Sequence, residues 1–155
     1  MLDAVGFFLW DLNGWRVGQG TIGTFGGGGG VVPAFTFLTR DPNGFANIHR
    51  HYFQVNGNTS IPPGSCHGSY DRASNGIYLY NDALMAVMGP LIPGAAGTLQ
   101  NSQCTEHGGT SQMVSASGAD LTLRLGLSLQ GAFAASTKNV YLWVRDNEAN
   151  DTGWV

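Results

Sequence analysis

The clearest pattern along the chain is an alternation of apolar and polar residues with a period of two. In the stretch "LTLRLGLSLQ" (121–130) every second residue is a leucine, and the residues between them are polar or glycine. Successive side chains of a β-strand point to opposite faces of the sheet, whereas a helix would spread these leucines around its axis. The stretch "NVYLWVRD" (139–146) alternates in the same way. The pattern therefore predicts two long, half-buried strands near the C-terminal end.

Shorter runs of strand-like composition predict the rest of the fold. They lie at 34–39, 48–55, 67–71, 77–82 and 112–117. Turn signals separate them, among them "SNG" (74–76) and "HGG" (107–109), since Gly and Asn tolerate positive φ. Only the stretch 82–89 favours a helical turn. Many short strands joined by turns indicate an all-β, antiparallel sandwich or barrel.

Composition narrows the class of protein. The 155 residues fit one domain, 11% of them are charged and 24 are glycine. Soluble proteins usually contain about 25% charged residues, so this profile favours an extracellular β-protein over a cytosolic enzyme. The formal net charge is −3 and the seven Lys and Arg are scattered. We therefore expect no basic patch and no nucleic-acid partner.

The N-terminal part of the chain predicts two segments. Residues 1–22 are rich in aromatic side chains and precede the glycine-rich stretch "TFGGGGGVV" (24–32), which lacks the lysine of a phosphate loop and is interpreted as a flexible loop. We predict an N-terminal extension or assembly segment at 1–22 and a β-sandwich domain at 23–155. The first residues do not have the pattern of a signal peptide, and no apolar run approaches the ~18 residues of a membrane span. We expect an exported protein without a membrane span, whose export signal is absent from this chain.

The stretch "GSCHGSYD" (64–71) places Cys66 beside His67, and two interpretations are open. A disulfide from Cys66 to Cys104 would close a loop of about 38 residues and stabilise the fold by up to about 4 kcal/mol in the chain-entropy model. Alternatively, His67 activates Cys66 as a nucleophile. Adjacent residues of a strand point to opposite faces, which favours the disulfide. We predict no catalytic residue.

A metal site is the competing hypothesis. His49 and His51 stand two apart in "IHRHYF", so on a strand they share a face and could chelate one metal ion. His67 or His107 would supply a third ligand, and the protein would then be a small secreted hydrolase or another metal-dependent enzyme. Two ordinary histidines on a sheet face explain the same pattern without any metal, and we predict no cofactor.

Outward-facing aromatic residues give the main binding hypothesis. Tyr78 and Tyr80 alternate with apolar residues in one predicted strand, as Tyr141 and Trp143 do in another. Exposed aromatic rows on a sheet stack on sugar rings or pack against a neighbouring protein, although a covering loop would also explain them. We predict that these four residues bind a ligand.

Three longer stretches together resemble a known kind of domain. They are "FTFLTRDPNGFANI" (35–48), "CHGSYDRASNGIYLYNDA" (66–83) followed by "GTLQNSQC" (97–104), and "LTLRLGLSLQGAFAASTKNVYLWVRDNEANDTGW" (121–154). They are similar to a repeat-type domain of large secreted or surface proteins of soil bacteria, notably Acidobacteria. The resemblance covers about residues 26–154 and carries over no catalytic residue. It implies an exported immunoglobulin-like β-sandwich in which Cys66 and Cys104 are paired.

Together, these observations predict an all-β, antiparallel, immunoglobulin-like β-sandwich with one disulfide. The expected role is that of a non-catalytic extracellular binding, adhesion or assembly module at the cell surface. Polysaccharide and neighbouring protein domains are the expected partners. A homo-oligomer formed through residues 1–22 is the assembly form of the same hypothesis.

Overall fold

The computed structural model describes residues 20–22, 32, 34–135 and 138–154. Within these ranges the regular elements are β-strands and two short 3-10 helices, at Phe45–Asn47 and Gly131–Ala135. The ten strands are β1 (Gly20–Ile22), β2 (Ala34–Arg40), β3 (Ile48–Asn56), β4 (Cys66–Asp71), β5 (Gly76–Tyr80), β6 (Val87–Leu91), β7 (Thr98–Gln100), β8 (Cys104–Ser117), β9 (Asp120–Leu129) and β10 (Lys138–Asp146).

The strands form two antiparallel sheets that face each other across one core. The six-stranded sheet has the order β1-β10-β3-β4-β5-β6, and the four-stranded sheet has the order β2-β9-β8-β7. The prediction of an all-β antiparallel sandwich is therefore confirmed, while its immunoglobulin-like character stays a prediction. No helix in the described ranges is long and apolar enough to cross a membrane.

The leucine repeat of β9 fills the core as its period predicts. Leu121, Leu123, Leu125 and Leu127 are each at most 2% exposed, and Leu129 is partly buried against them. On the facing sheet, the apolar side chains of β10 are buried in the same core. Burial of one full side of each strand fixes the register, because a slip by one residue would turn every leucine to solvent.

The predicted disulfide is present. Cys66 begins β4 and Cys104 begins β8, their Cα atoms lie 5.6 Å apart, and both side chains are fully buried. Because β4 and β8 belong to different sheets, the bond ties the two layers together. The nucleophile hypothesis for Cys66 is wrong, since its sulfur is bonded and no free cysteine is present.

All seven predicted strands overlap described strands, and two of them, at 77–82 and 121–130, extend past the observed ends, while several other elements escaped prediction. Residues 82–89 do not form a helical turn: the amide of Leu84 donates to the carbonyl of Asn81, and β6 begins at Val87. β6 contains Gly89 and Pro90, which normally argue against a strand, but Pro90 is tolerated because β6 is the outermost strand of its sheet.

Residues 1–22 are described only at their end. Gly20–Ile22 forms β1 and pairs with β10 of the same chain. The aromatic residues on which the assembly hypothesis rests lie outside the described residues, so the assembly role stays a prediction. The glycine run at 24–32 also lies outside them, apart from Val32.

Candidate functional site

The outer surface of the six-stranded sheet carries a row of side chains that crosses four strands. Trp143 of β10 lies opposite Tyr52 of β3, Tyr52 lies opposite Ser69 of β4, and Ser69 lies opposite Tyr78 of β5. The rings of Tyr52 and Trp143 are 6.3 Å apart between centroids and tilted by 59°. Side chains directly opposite each other on one face are in contact range, so the sheet register itself assembles this row.

His67 joins the row to a neighbouring tyrosine. Its ring stacks on Tyr80 with centroids 4.6 Å apart and an angle of 19° between the planes. Its Nδ1 lies 3.0 Å from the carbonyl oxygen of Phe53, and because a carbonyl only accepts, Nδ1 carries the proton and donates. Burial lowers the pKa of His67, and the Phe53 bond offsets part of that effect. His67 is therefore neutral at pH 7, with Nε2 available as an acceptor.

The C-terminal residues bring a second tryptophan to the same surface. The amide of Thr152 donates to the carbonyl of Val144, and the amide of Val144 donates to the Thr152 hydroxyl, so this segment runs beside β10. Trp154 then meets Trp143 edge to face, with centroids 5.6 Å apart, and lies 5.8 Å from the ring of His67. We call the surface formed by these rings the aromatic face; it comprises Tyr52, His67, Tyr78, Tyr80, Trp143 and Trp154.

Asp146 fixes the turn that returns the chain to this surface. Its Oδ1 accepts from the amides of Glu148 and Asn150, and its Oδ2 accepts from the Asn150 side chain at 2.8 Å. The side-chain amide of Asn47 also donates to Oδ2, at 3.5 Å. Asp146 is 2% exposed, so these donors satisfy a carboxylate that is otherwise shielded from water.

Two pockets open on the aromatic face. The first, which we call the tryptophan pocket, has a volume of about 210 Å³ and is lined by Tyr52, Ile61, His67, Trp143, Arg145 and Trp154. The second, the tyrosine pocket, has a volume of about 220 Å³ and is lined by Arg50, Ser69, Tyr78, Tyr80 and Val87.

The two pockets are neighbours. Tyr52 and Ser69 lie directly opposite each other on adjacent strands, and one lines each pocket. The stacked pair of His67 and Tyr80 likewise contributes one ring to each pocket. The pockets therefore share a wall, and a ligand that fills one lies next to the other.

Charged groups form the next row along the strands. Arg145 of β10 lies opposite Arg50 of β3, and Arg50 lies opposite Asp71 of β4. A guanidinium nitrogen of Arg50 is 2.7 Å from Oδ2 of Asp71, and Nε2 of His49 is 3.7 Å from the same oxygen. The pKa of Asp71 is lowered: burial raises it, but hydrogen bonds from Arg50 and Ser74 outweigh that effect.

Three of the four predicted ligand-binding residues lie on the aromatic face. Ile77 and Leu79 are fully buried while Tyr78 and Tyr80 are half-buried on the other side of β5, as the alternation predicts. Trp143 is half-buried in the tryptophan pocket. That these residues bind a ligand stays a prediction.

The expected exposure of Tyr141 is wrong. Its side chain is 5% exposed, and its hydroxyl accepts from the side-chain amide of Asn139 at 2.9 Å. Tyr141 lies opposite Gln54, whose side-chain amide donates to the carbonyls of Asn58 and Ser60. The loop after β3 therefore lies over this part of the sheet, and Tyr141 presents no open ring.

The structure does not bring His49 and His51 together. The pairing of β10 with β3 skips His49, which is the extra residue of a β-bulge, so the period of two is broken there. His51 is fully buried with Nε2 2.8 Å from the Thr39 hydroxyl, whereas His49 lies on the outer surface beside Asp71. The predicted shared face is therefore wrong.

The proposed third ligands are also far from a common centre. His67 belongs to the aromatic face, and His107 lies on the four-stranded sheet with Nε2 2.8 Å from the Ser128 hydroxyl. Among the described residues, no group of three or more His, Cys, Asp and Glu side chains could hold a metal ion.

Sequence reasoning missed half of the aromatic face. Tyr52 and His67 follow the alternation of their strands. That pattern alone would have placed both side chains on the outer surface of the sheet. Trp154 gave no such signal, because its position depends on the turn held by Asp146. Comparison with protein-family models, with curated proteins and with solved structures found no match for this chain.

Proposed function

We propose that the protein is a non-catalytic, extracellular carbohydrate-binding module and that the aromatic face is its binding surface. The observation that carries this proposal is the pair of adjoining pockets built from aromatic rings on one sheet face. A sugar ring has apolar C–H surfaces that pack on aromatic rings, and hydroxyl groups at its edge that need polar partners.

Polar groups suited to sugar hydroxyls line both pockets. Ser69 and Arg50 lie beside the tyrosines, and His67 and Arg145 lie beside the tryptophans. Each pocket is smaller than the ~300–1,000 Å³ typical of drug-sized ligand sites. Two small neighbouring pockets favour a chain of small units, one in each, over a single bulky ligand.

The other side of the sandwich lacks these features. β7, β8 and β9 contain no Phe, Tyr or Trp, and Phe35 and Phe37 of β2 are both buried. The four-stranded sheet therefore offers no aromatic platform in its described strands. This asymmetry supports assigning the binding role to the six-stranded sheet.

Two further observations support an extracellular setting. Disulfides persist in oxidising compartments, and the Cys66–Cys104 bond ties the two sheets of this fold together. The resemblance to repeat-type domains of secreted bacterial proteins favours an immunoglobulin-like module within a larger surface or adhesion protein.

A glycan array followed by isothermal titration calorimetry tests the proposal. We expect the protein to bind polysaccharides on the array. Trp143→Ala should weaken binding of the best ligand at least about tenfold, which corresponds to ~1.4 kcal/mol. The control Tyr141→Phe, which keeps the buried ring, should bind like the parent protein. A silent array, or a Trp143→Ala variant that folds normally and binds with parental affinity, would contradict the proposal.

A further inference from the structure

The cationic side chains of the aromatic face are placed one to each pocket. Arg145 lines the tryptophan pocket and Arg50 lines the tyrosine pocket, and the two residues lie directly opposite each other on β10 and β3. Like charges at directly opposed positions of a sheet are unfavourable unless an anion lies near them. Each pocket thus combines aromatic rings with one guanidinium group.

Only one of these cations forms an ion pair with another described residue. Asp71 pairs with Arg50 at 2.7 Å. Arg145 is exposed, and no hydrogen bond or ion pair joins its guanidinium to another described residue. The nearby Asp151 accepts a hydrogen bond from the amide of Gly153 instead. The row of Arg145, Arg50 and Asp71 therefore contains two positive charges and one negative charge, and Arg145 forms no ion pair with the nearby Asp151 carboxylate.

The two buried polar atoms without a partner in the pocket-lining side chains are both donors, whereas His67 presents Nε2 as an acceptor. Among the described residues, Arg50 Nε and Trp143 Nε1 are buried without a hydrogen-bond partner, and their side chains line the two pockets. No oxygen of another described pocket-lining residue is left in that state. A carboxylate is an acceptor only, and guanidinium groups bind it with paired, charge-assisted hydrogen bonds.

We propose that the aromatic face selects acidic sugars that carry a carboxylate, that is, uronate units of a polysaccharide. One sugar ring packs in the tryptophan pocket with its carboxylate on Arg145, and a neighbouring ring packs in the tyrosine pocket beside Arg50. This inference rests on the proposed carbohydrate-binding function and adds the class of sugar.

The test compares acidic polysaccharides with their neutral counterparts. Polygalacturonate, alginate and hyaluronan are each titrated beside the same polymer after chemical reduction of its carboxyl groups, at 0.15 M salt, with polyglutamate as a polyanion that is not a sugar. We expect at least one uronate polymer to bind at least about tenfold more tightly than its reduced form, and we expect polyglutamate not to bind.

Two arginine variants locate the charge effect. Arg145→Gln should bring the ratio of the affinities for the uronate polymer and its reduced form to about one, because the guanidinium that pairs with the carboxylate is removed. Arg124→Gln is the matched control, because Arg124 is exposed on β9 of the other sheet and the variant changes the net charge equally. We expect it to bind like the parent protein.

The outcomes separate this inference from the proposed function. Equal binding of acidic and reduced polymers, or silence of every uronate polymer, overturns the uronate inference, while carbohydrate binding stands or falls on the glycan array. Unchanged discrimination in Arg145→Gln overturns the role of Arg145. Polyglutamate binding as tight as that of the uronates overturns the uronate inference, since charge alone would then explain the preference for acidic polymers.

Discussion

Glu106 is the least expected residue of the core. It lies on β8 between Leu99 of β7 and Leu127 of β9, its side chain is fully buried, and neither carboxyl oxygen has a hydrogen-bond partner among the described residues. Burial without a partner disfavours the charged form and raises the pKa of Glu106 well above its ordinary value of 4.5.

Replacing this carboxyl by an apolar side chain should stabilise the protein. Because the folded pKa is raised, the carboxyl's contribution to stability is fully present below about pH 4.5 and is lost as the pH rises towards the folded pKa. We expect Glu106→Met to raise the free energy of unfolding at pH 7 by about 1–3 kcal/mol, with a smaller gain at pH 4. Urea denaturation at both pH values measures this.

The exposed Glu148 provides the control for that experiment. Glu148→Met should change the free energy of unfolding by less than about 0.5 kcal/mol. Loss of stability in Glu106→Met at pH 7 would show that an interaction of the carboxyl group stabilises the fold. A gain that does not depend on pH would contradict the raised pKa of Glu106.

The space around Gly68 shows how tightly the core is packed beneath the aromatic face. This glycine lies opposite Phe53, and a Cβ atom built on Gly68 would come within 2.5 Å of the carbonyl oxygen of Tyr78 and would overlap the Phe53 ring. Gly68→Ala should therefore lower the free energy of unfolding by about 1–3 kcal/mol in urea denaturation. Gly57→Ala is the control, because no atom lies within 4 Å of the added Cβ there; equal stability of the two variants would contradict the tight packing.

For single residues, the sequence predicted which face of a strand a side chain points to better than it predicted whether that side chain is exposed to solvent. Alternation correctly placed Tyr78 and Tyr80 opposite Ile77 and Leu79. It could not reveal that a loop covers Tyr141, because that loop is held by hydrogen bonds of Gln54. It also failed at His49, since one extra residue in a bulge reverses the expected face.

Among the structural elements, the turn after β10 has the most direct link to the candidate site. Asp146 holds this turn through two backbone amides, and the turn returns Trp154 to Trp143 and His67. If the turn loosens, the tryptophan pocket loses one wall.

Asp146→Ala should therefore affect the binding surface as well as stability. We expect a loss of about 1–3 kcal/mol in the free energy of unfolding, because partly buried donors lose their acceptor. The NMR signals of the Trp143 and Trp154 indole N–H groups should shift, and affinity for the glycan should fall. Asp82→Ala is the control: it removes an acceptor for the Ser102 amide away from the aromatic face, and its indole signals should stay in place. Unchanged indole signals in Asp146→Ala would contradict the link.

Strands with an unbroken period of two were predicted over nearly their full length, whereas β8 was predicted only at 112–117. β8 contains Gly108 and Gly109, which favour a turn, yet the strand continues through a pairing irregularity. The Ser111 hydroxyl bridges this irregularity, donating to the carbonyl of His107 and accepting from the amide of Gly126. A side-chain hydrogen bond that replaces a backbone bond between two strands depends on the partner strand. The local sequence therefore does not predict it.

For the whole molecule, the disulfide is a covalent cross-link between the two sheets, in addition to the backbone connections. It spans a sequence separation of 38 residues. The double variant Cys66→Ala/Cys104→Ala should lose about 2–4 kcal/mol in the free energy of unfolding, because the unfolded chain regains freedom. Urea denaturation of the variant and of the reduced parent protein should agree, and a loss below about 1 kcal/mol in both would contradict a stabilising role.

The sandwich was predictable as a whole, but its binding surface was only partly so. Strand periods and two cysteines suffice for an all-β fold with one disulfide. The aromatic face depends on the register that sets Trp143 beside Tyr52 and Ser69, and on a chain end that returns to the sheet. Both features depend on contacts between residues that are far apart in the sequence. Local sequence patterns do not predict such contacts.

The central claim is that the six-stranded sheet binds carbohydrate through its aromatic face. NMR chemical-shift mapping tests it most directly, with the glycan that binds best on the array added to the isotope-labelled protein. We predict that the largest shifts occur in the amides of β3, β4 and β10 and in the indole N–H groups of Trp143 and Trp154, with none in β8 and β9. Shifts concentrated on β8 and β9, or no shifts at saturating glycan, would contradict the claim.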